Sequence, residues 1–140
     1  MQREENSFLC NLKQGGPFGL YFMQKTISLS ENKQFKLLYN RGKSFVYPFF
    51  VLYIRPNRFP YNRLGITVGK KVGNAVKRNR AKRVIKEAYR LLETELCIGY
   101  DFVLVARSKT PFVSMNVIKK DLAAVFKRQQ LLLSTKEKNI

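Results

Sequence analysis

The stretch Lys70-Lys71-Val72-Gly73-Asn74-Ala75-Val76-Lys77-Arg78-Asn79-Arg80-Ala81-Lys82-Arg83-Val84-Ile85-Lys86-Glu87-Ala88-Tyr89-Arg90 decides how the chain is read. It holds nine Lys or Arg against one acid, Glu87, yet Val76, Ala81, Val84, Ile85, Ala88 and then Leu92 recur through it at helical spacing. Placed at ~100° per residue, Ala81, Val84, Ile85, Ala88, Tyr89, Leu91 and Leu92 fall within an arc of roughly 160°. Arg78, Asn79, Arg80, Lys82, Arg83, Lys86 and Arg90 occupy the remaining arc. One side of this helix packs; the other is cationic or amide. Arg78, Lys82, Lys86 and Arg90 form an i, i+4 ladder of like charge, which costs roughly a few tenths of a kcal/mol per pair. A ladder with so little acid beside it is a surface prepared for phosphate.

The helix start supports the same reading. Gly73-Asn74 opens the helix, and Asn74 suits an N-cap. The free N–H groups of the first turn, with Lys70 and Lys71 just before them, also suit a phosphate, so capping and contact both stand for Asn74. Lys77 lies at the edge of the apolar arc, where its stem can lie along packed surface. Arg90 lies near the C-terminal end, where it also opposes the helix dipole. Arg78 and Arg80 can fork onto phosphate oxygens, whereas the lysines act as point charges.

Outward from this helix the chain alternates in type. Toward the N-terminus, Leu64-Gly-Ile-Thr-Val-Gly69 reads as a short strand, and Pro56 to Asn62 as a loop. A strand region from Lys43 breaks at Pro48 and resumes as Phe49 to Arg55. Before it, Phe35, Leu38 and Tyr39 line one face of a helix capped by Ser30 or Asn32 and stopped at Gly42. Toward the C-terminus, Gly99 precedes the strand Asp101 to Arg107. Ser114 then opens a helix with Val117, Ile118, Leu122, Val125 and Phe126 on one stripe. The order is α-β-β-β-α-β-α, one α/β domain over residues 23–133. A strand-helix-strand step of this kind is right-handed by default. Residues 1–22, with Gly15-Gly16-Pro17 and little charge, read as an extension outside the core, Met23 being a natural start; 134–140 read as a polar tail.

Composition narrows the function. The chain has 140 residues, 27 Lys and Arg, 9 Asp and Glu, and a net charge of +18. Self-repulsion on this scale opposes compaction and calls for a polyanionic partner. Nothing in the chain reaches the ~20 apolar residues of a membrane span, and no secretory signal opens it. Cys10 and Cys97 lie far apart without metal-ligand spacing, which fits two reduced thiols in a cytoplasmic protein. There is no histidine, hence neither the commonest general base nor the commonest metal ligand. The scattered carboxylates form no catalytic pair, and no glycine-rich loop matches a nucleotide fingerprint.

The run Lys70 to Arg83, followed by Ile85 and Glu87, resembles the signature helix of the bacterial ribonuclease P protein component. Phe35-Lys-Leu-Leu-Tyr39 before Gly42, the strand ending at Tyr53, Arg63-Leu-Gly-Ile-Thr-Val68, and Phe102 to Arg107 follow in the family's order. The resemblance covers about residues 24–130. It implies a two-layer α/β sandwich with a left-handed βαβ crossover, similar to domain 2 of ribosomal protein S5, in place of the default right-handed step. It further implies the protein subunit of a ribonucleoprotein endonuclease that forms the mature 5′ end of tRNA. In such a particle the RNA subunit and its Mg²⁺ carry the chemistry, and the protein binds no cofactor. The expected partners are the ribonuclease P RNA and precursor tRNA, with no membrane and no DNA. By position, Lys70, Lys71, Asn74, Lys77, Arg78, Asn79, Arg80, Lys82, Arg83, Lys86 and Arg90 match the RNA-binding segment. Phe35, Tyr39 and Tyr53 match the cleft for the 5′ leader. Lys86 stands where arginine is common, so a two-pronged contact is not expected there. Residues 1–22 have no counterpart. Two other classes fit the charge: an RNA chaperone on the ribosome, disfavoured by the Arg-Asn-Arg context, and a self-sufficient nuclease, disfavoured by the lack of histidine.

Overall fold

The computed structural model describes residues 25–133. The expected extension at 1–22, Cys10 within it, and the tail at 134–140 lie outside these. Eight elements follow one another: β1 (Thr26–Ser28), α1 (Asn32–Arg41), β2 (Lys43–Val46), β3 (Phe50–Pro56), β4 (Asn62–Thr67), α2 (Ala75–Glu93), β5 (Tyr100–Ala106) and α3 (Met115–Arg128). Single turns of 3₁₀ helix at Lys70–Val72 and Thr110–Phe112 precede α2 and α3. The strands form one mixed sheet in the order β1-β4-β5-β3-β2. β1, β4 and β5 run parallel, while β3 is antiparallel to both β5 and β2.

β5, Tyr-Asp-Phe-Val-Leu-Val-Ala, is apolar on both faces because it is the central strand and is covered on both. Phe102, Leu104 and Ala106 turn toward α2 and α3, where they meet Ile85, Tyr89, Ile118, Leu122 and Phe126 in the main core. Val103 and Val105 turn the other way, toward Leu29, Phe35 and Leu38 beside α1. The sheet is therefore covered on both faces, by α2 and α3 on one and by α1 on the other. Leu38, fully buried, and Phe35, packed against the same cluster, are the α1 residues responsible.

Three readings are corrected. The N-cap of α1 is Glu31, whose carboxylate pairs reciprocally with Gln34 in a capping box, rather than Ser30 or Asn32. Val117 is exposed; the α3 stripe is Ile118, Leu122, Val125 and Phe126. The sequence pattern contains no sign of β1, because three residues carry no period and their pairing with β4 is a tertiary event. β1 is held instead by polar contacts. The buried Lys25 ammonium donates to the carbonyls of Thr94 and Leu96, both at 2.9 Å, at the end of α2. The Lys25 N–H donates to Glu93 Oε2 at 3.0 Å, and the hydroxyls of Thr26 and Tyr89 share a hydrogen bond of 2.8 Å. Gly42 stops α1 as expected, for a steric reason: a Cβ there would stand 2.6 Å from the Leu38 carbonyl oxygen.

Candidate nucleic-acid interface

α2 begins where the sequence places it. The Asn74 side-chain oxygen accepts the Lys77 N–H at 3.0 Å, so this residue is the N-cap. Gly73 has φ +139°, a conformation that favours glycine; a Cβ there would also meet the flexible Lys77 side chain at 2.7 Å. Lys70 and Lys71 are exposed in the turn before it. Ala81, Ile85, Ala88, Tyr89 and Leu92 are buried, Val84 and Leu91 half-buried, so the packing arc lies as projected. Val76 is the exception, 72% exposed.

The cationic arc divides into two kinds of residue. Arg78, Asn79, Lys82, Arg83 and Lys86 make no ion pair among the described residues and face solvent wholly or in part. Three others are engaged within the chain. Arg80 donates through Nε to the Pro111 carbonyl at 2.7 Å, holding the 3₁₀ turn before α3. The Lys77 ammonium lies 5.3 Å from the centre of the Phe112 ring. Arg90 forks onto Glu87, with contacts of 3.0 and 2.6 Å, and so leaves the like-charge ladder. These hydrogen bonds hold the Glu87 carboxyl below its ordinary pKa and the Arg90 guanidinium above its own.

The aromatic residues converge on the opposite sheet face. Phe35 and Tyr39 stand one turn apart on α1 with ring centres 6.5 Å apart, and Tyr39 meets Tyr53 edge-on at 4.9 Å. Tyr39 also shares a hydrogen bond of 3.2 Å with Thr67 on β4. Gly65 makes room for this cluster, since a Cβ there would fall 2.5 Å from the Phe35 ring. An open groove of about 500 Å³ runs from Phe35 across β1 and Gly65 to Lys82, Lys86 and Arg90. The groove lining thus carries one ring, Phe35, and three cations; Tyr39 and Tyr53 adjoin it through Phe35, outside the lining. Among the described residues, no three His, Cys, Asp or Glu side chains are grouped to hold a metal.

A family model described as Ribonuclease P matches residues 23–130. The chain belongs to the bacterial ribonuclease P protein family. The Clostridioides difficile ribonuclease P protein component is 40% identical over 108 residues, spanning 76% of this chain and 95% of its own. That of Clostridium botulinum strain Loch Maree is 44% identical over 105 residues, 74% of this chain and 95% of its own. Among solved structures, the Staphylococcus aureus ribonuclease P protein matches with TM-score 0.66 at 31% identity, covering 75% of this chain and 96% of its own. The Thermotoga maritima protein matches with TM-score 0.65 at 32% identity, covering 73% and 96%. The chain is therefore a component of the ribonuclease P holoenzyme, the endoribonuclease of tRNA 5′ maturation.

Within this ribonuclease P protein the structure unites Phe35, Tyr39 and Tyr53 in one cluster, and Lys82, Lys86 and Arg90 along one groove. Lys70, Lys71 and Asn74 sit apart from that groove at the helix start. Sequence reasoning missed the groove floor, Thr26 to Leu29 with Gly65. Gly65 carried a signal, as a glycine inside a strand pattern marks close approach; β1 carried none.

Proposed function

We propose that this chain binds the ribonuclease P RNA through the cationic arc of α2 and holds the 5′ leader of precursor tRNA in the groove between α1 and α2. The observation that carries this reading is the groove lined by the Phe35 ring and by Lys82, Lys86 and Arg90, with Tyr39 and Tyr53 continuing the aromatic cluster beyond it: rings suit unpaired bases and cations suit the connecting phosphates. Lys70, Lys71, Arg78, Asn79, Lys82, Arg83 and Lys86 are the direct RNA contacts, and Asn74 sets the helix start. Arg80 and Lys77 act by holding the neighbouring turn as well as by charge. Arg90 joins the groove wall with its charge largely balanced by Glu87. Phe35, Tyr39 and Tyr53 stack on leader bases. Mg²⁺ belongs to the RNA subunit in this reading, and the work is done in the cytoplasm. The left-handed sense of the β4-α2-β5 connection, and kinship with domain 2 of ribosomal protein S5, go with the same family reading.

Reconstitution with ribonuclease P RNA at low Mg²⁺ tests it. Stimulated 5′ cleavage, greater for precursors with a leader than for short-leader forms, is the expected result. Equal stimulation whatever the leader would remove the leader from the groove, and cleavage by protein alone would overturn the division of labour.

A further inference from the structure

The loop between β3 and β4, Asn57 to Tyr61, carries a second aromatic pair that neither hydrophobic core uses. The rings of Phe59 and Tyr61 are parallel within 3°, with centres 5.2 Å apart. The Arg63 guanidinium lies 5.0 Å from the Phe59 ring centre, and Phe59 is 40% exposed. The ring stacking and the guanidinium contact bring Phe59, Tyr61 and Arg63 together across the bend at 59–61.

The pair is held rigid from below. Asn57 Oδ1 accepts the Phe59 N–H at 2.7 Å, and Asn57 Nδ2 donates to the Tyr61 carbonyl at 3.3 Å and to Asp101 Oδ1 at 2.7 Å. Asp101, buried on β5, accepts both prongs of Arg63 at 2.8 and 2.6 Å. Between them Arg58 takes φ +66°, an unfavourable conformation for arginine, and its side chain is exposed. Arg63, Asp101 and Arg55 oppose one another across β4, β5 and β3, on the sheet face that also holds Gly65, Val103 and Tyr53. The second row is two residues along, about 7 Å away. The loop is therefore the end of the same surface that carries Phe35, Tyr39 and Tyr53. Arg55 and Arg58 add positive charge there, and the acids facing Arg63 are Asp101, already engaged, and Glu31.

We propose that Phe59 and Tyr61, backed by Arg63 and Arg58, form a further stacking subsite for a base of the 5′ leader, beyond those held by Tyr39 and Tyr53. This rests on the leader reading given above. Flat rings with a cationic rim suit a nucleobase and its phosphate, and such stacking tolerates any base.

The test is holoenzyme reconstituted with wild-type, Phe59→Ala, Phe59→Trp and Tyr39→Ala proteins, binding precursor tRNAs whose leaders increase in length. Wild-type and Phe59→Trp proteins are expected to gain affinity in two steps as the leader lengthens, and Phe59→Ala to lose only the second, by roughly 5- to 100-fold. If Phe59→Ala keeps both steps while Tyr39→Ala loses the first, the further subsite is wrong and the leader groove stands. If no variant alters any length-dependent step, both are wrong. Equal weakening by Phe59→Ala at every leader length, with an unchanged circular dichroism spectrum, would assign the loop to the RNA subunit or the tRNA body and overturn the proposal.

Discussion

At the scale of single residues, Tyr39 and Asp101 are held in place in two different ways. Tyr39 is exposed, yet its ring leans on Tyr53 and its hydroxyl on Thr67, so it is positioned without being buried. Tyr39→Ala is therefore expected to weaken precursor tRNA binding by ~1–3 kcal/mol while leaving mature tRNA unchanged, in equilibrium binding to the holoenzyme. Equal loss on both substrates would make the ring a support for the fold. Asp101 is the contrary case, buried and gripped by Arg63 and Asn57. Asp101→Ala removes one partner of a largely desolvated pair and strands the other, so a loss of about 3–5 kcal/mol is expected in urea unfolding. A loss under ~1 kcal/mol would show that water reaches Arg63 readily.

At the scale of elements, α2 was largely legible and its individual arginines were not. Helical spacing separates the packing arc from the cationic arc, because burial follows period whatever the partner element. That Arg80 is engaged by the Pro111 carbonyl, and Arg90 by Glu87, depends on where a distant turn and a rotamer fall. No sequence pattern encodes the first; the second has an i, i+3 spacing, but read from sequence Arg90 falls in the like-charge ladder instead. α1 was legible as a helix with Phe35, Leu38 and Tyr39 on one face, but which sheet face they cover was not, since a helical period does not name its partner. The division among cations changes the expected electrostatics. With Lys70, Lys71, Arg78, Lys82, Arg83 and Lys86 left for phosphate, log K for the RNA subunit should fall with log salt at a slope of roughly −4 to −5. Filter binding across a salt series checks this, and a slope near −1 would exclude α2 as an extended phosphate contact. Asn74→Ala should cost about 1 kcal/mol of stability by urea unfolding, through the lost cap.

At the scale of the whole molecule, a net charge of +18 on 140 residues is a large self-repulsion. Lowering the Debye length from ~30 Å to ~8 Å with added NaCl is expected to raise Tm, and sulfate at equal ionic strength to raise it further by binding α2. Thermal unfolding by circular dichroism reads both, and a Tm indifferent to salt would mean that the charges are too dispersed to repel. The strand order has a different kind of consequence. β5 stands third of five, so the ribbons β1/β4 and β2/β3 are joined only through it. It is also the last of these strands to be synthesised. Until Ala106 has left the ribosome, the nascent chain can form only two separate two-stranded pieces, neither stable alone in water. The cations of α2 emerge before that moment, beside ribosomal RNA and without a folded domain to carry them. Folding of this protein is thus a late, single closure, and a translation pause that leaves α2 outside the ribosome and Tyr100–Ala106 still within it would catch the chain at its most adhesive.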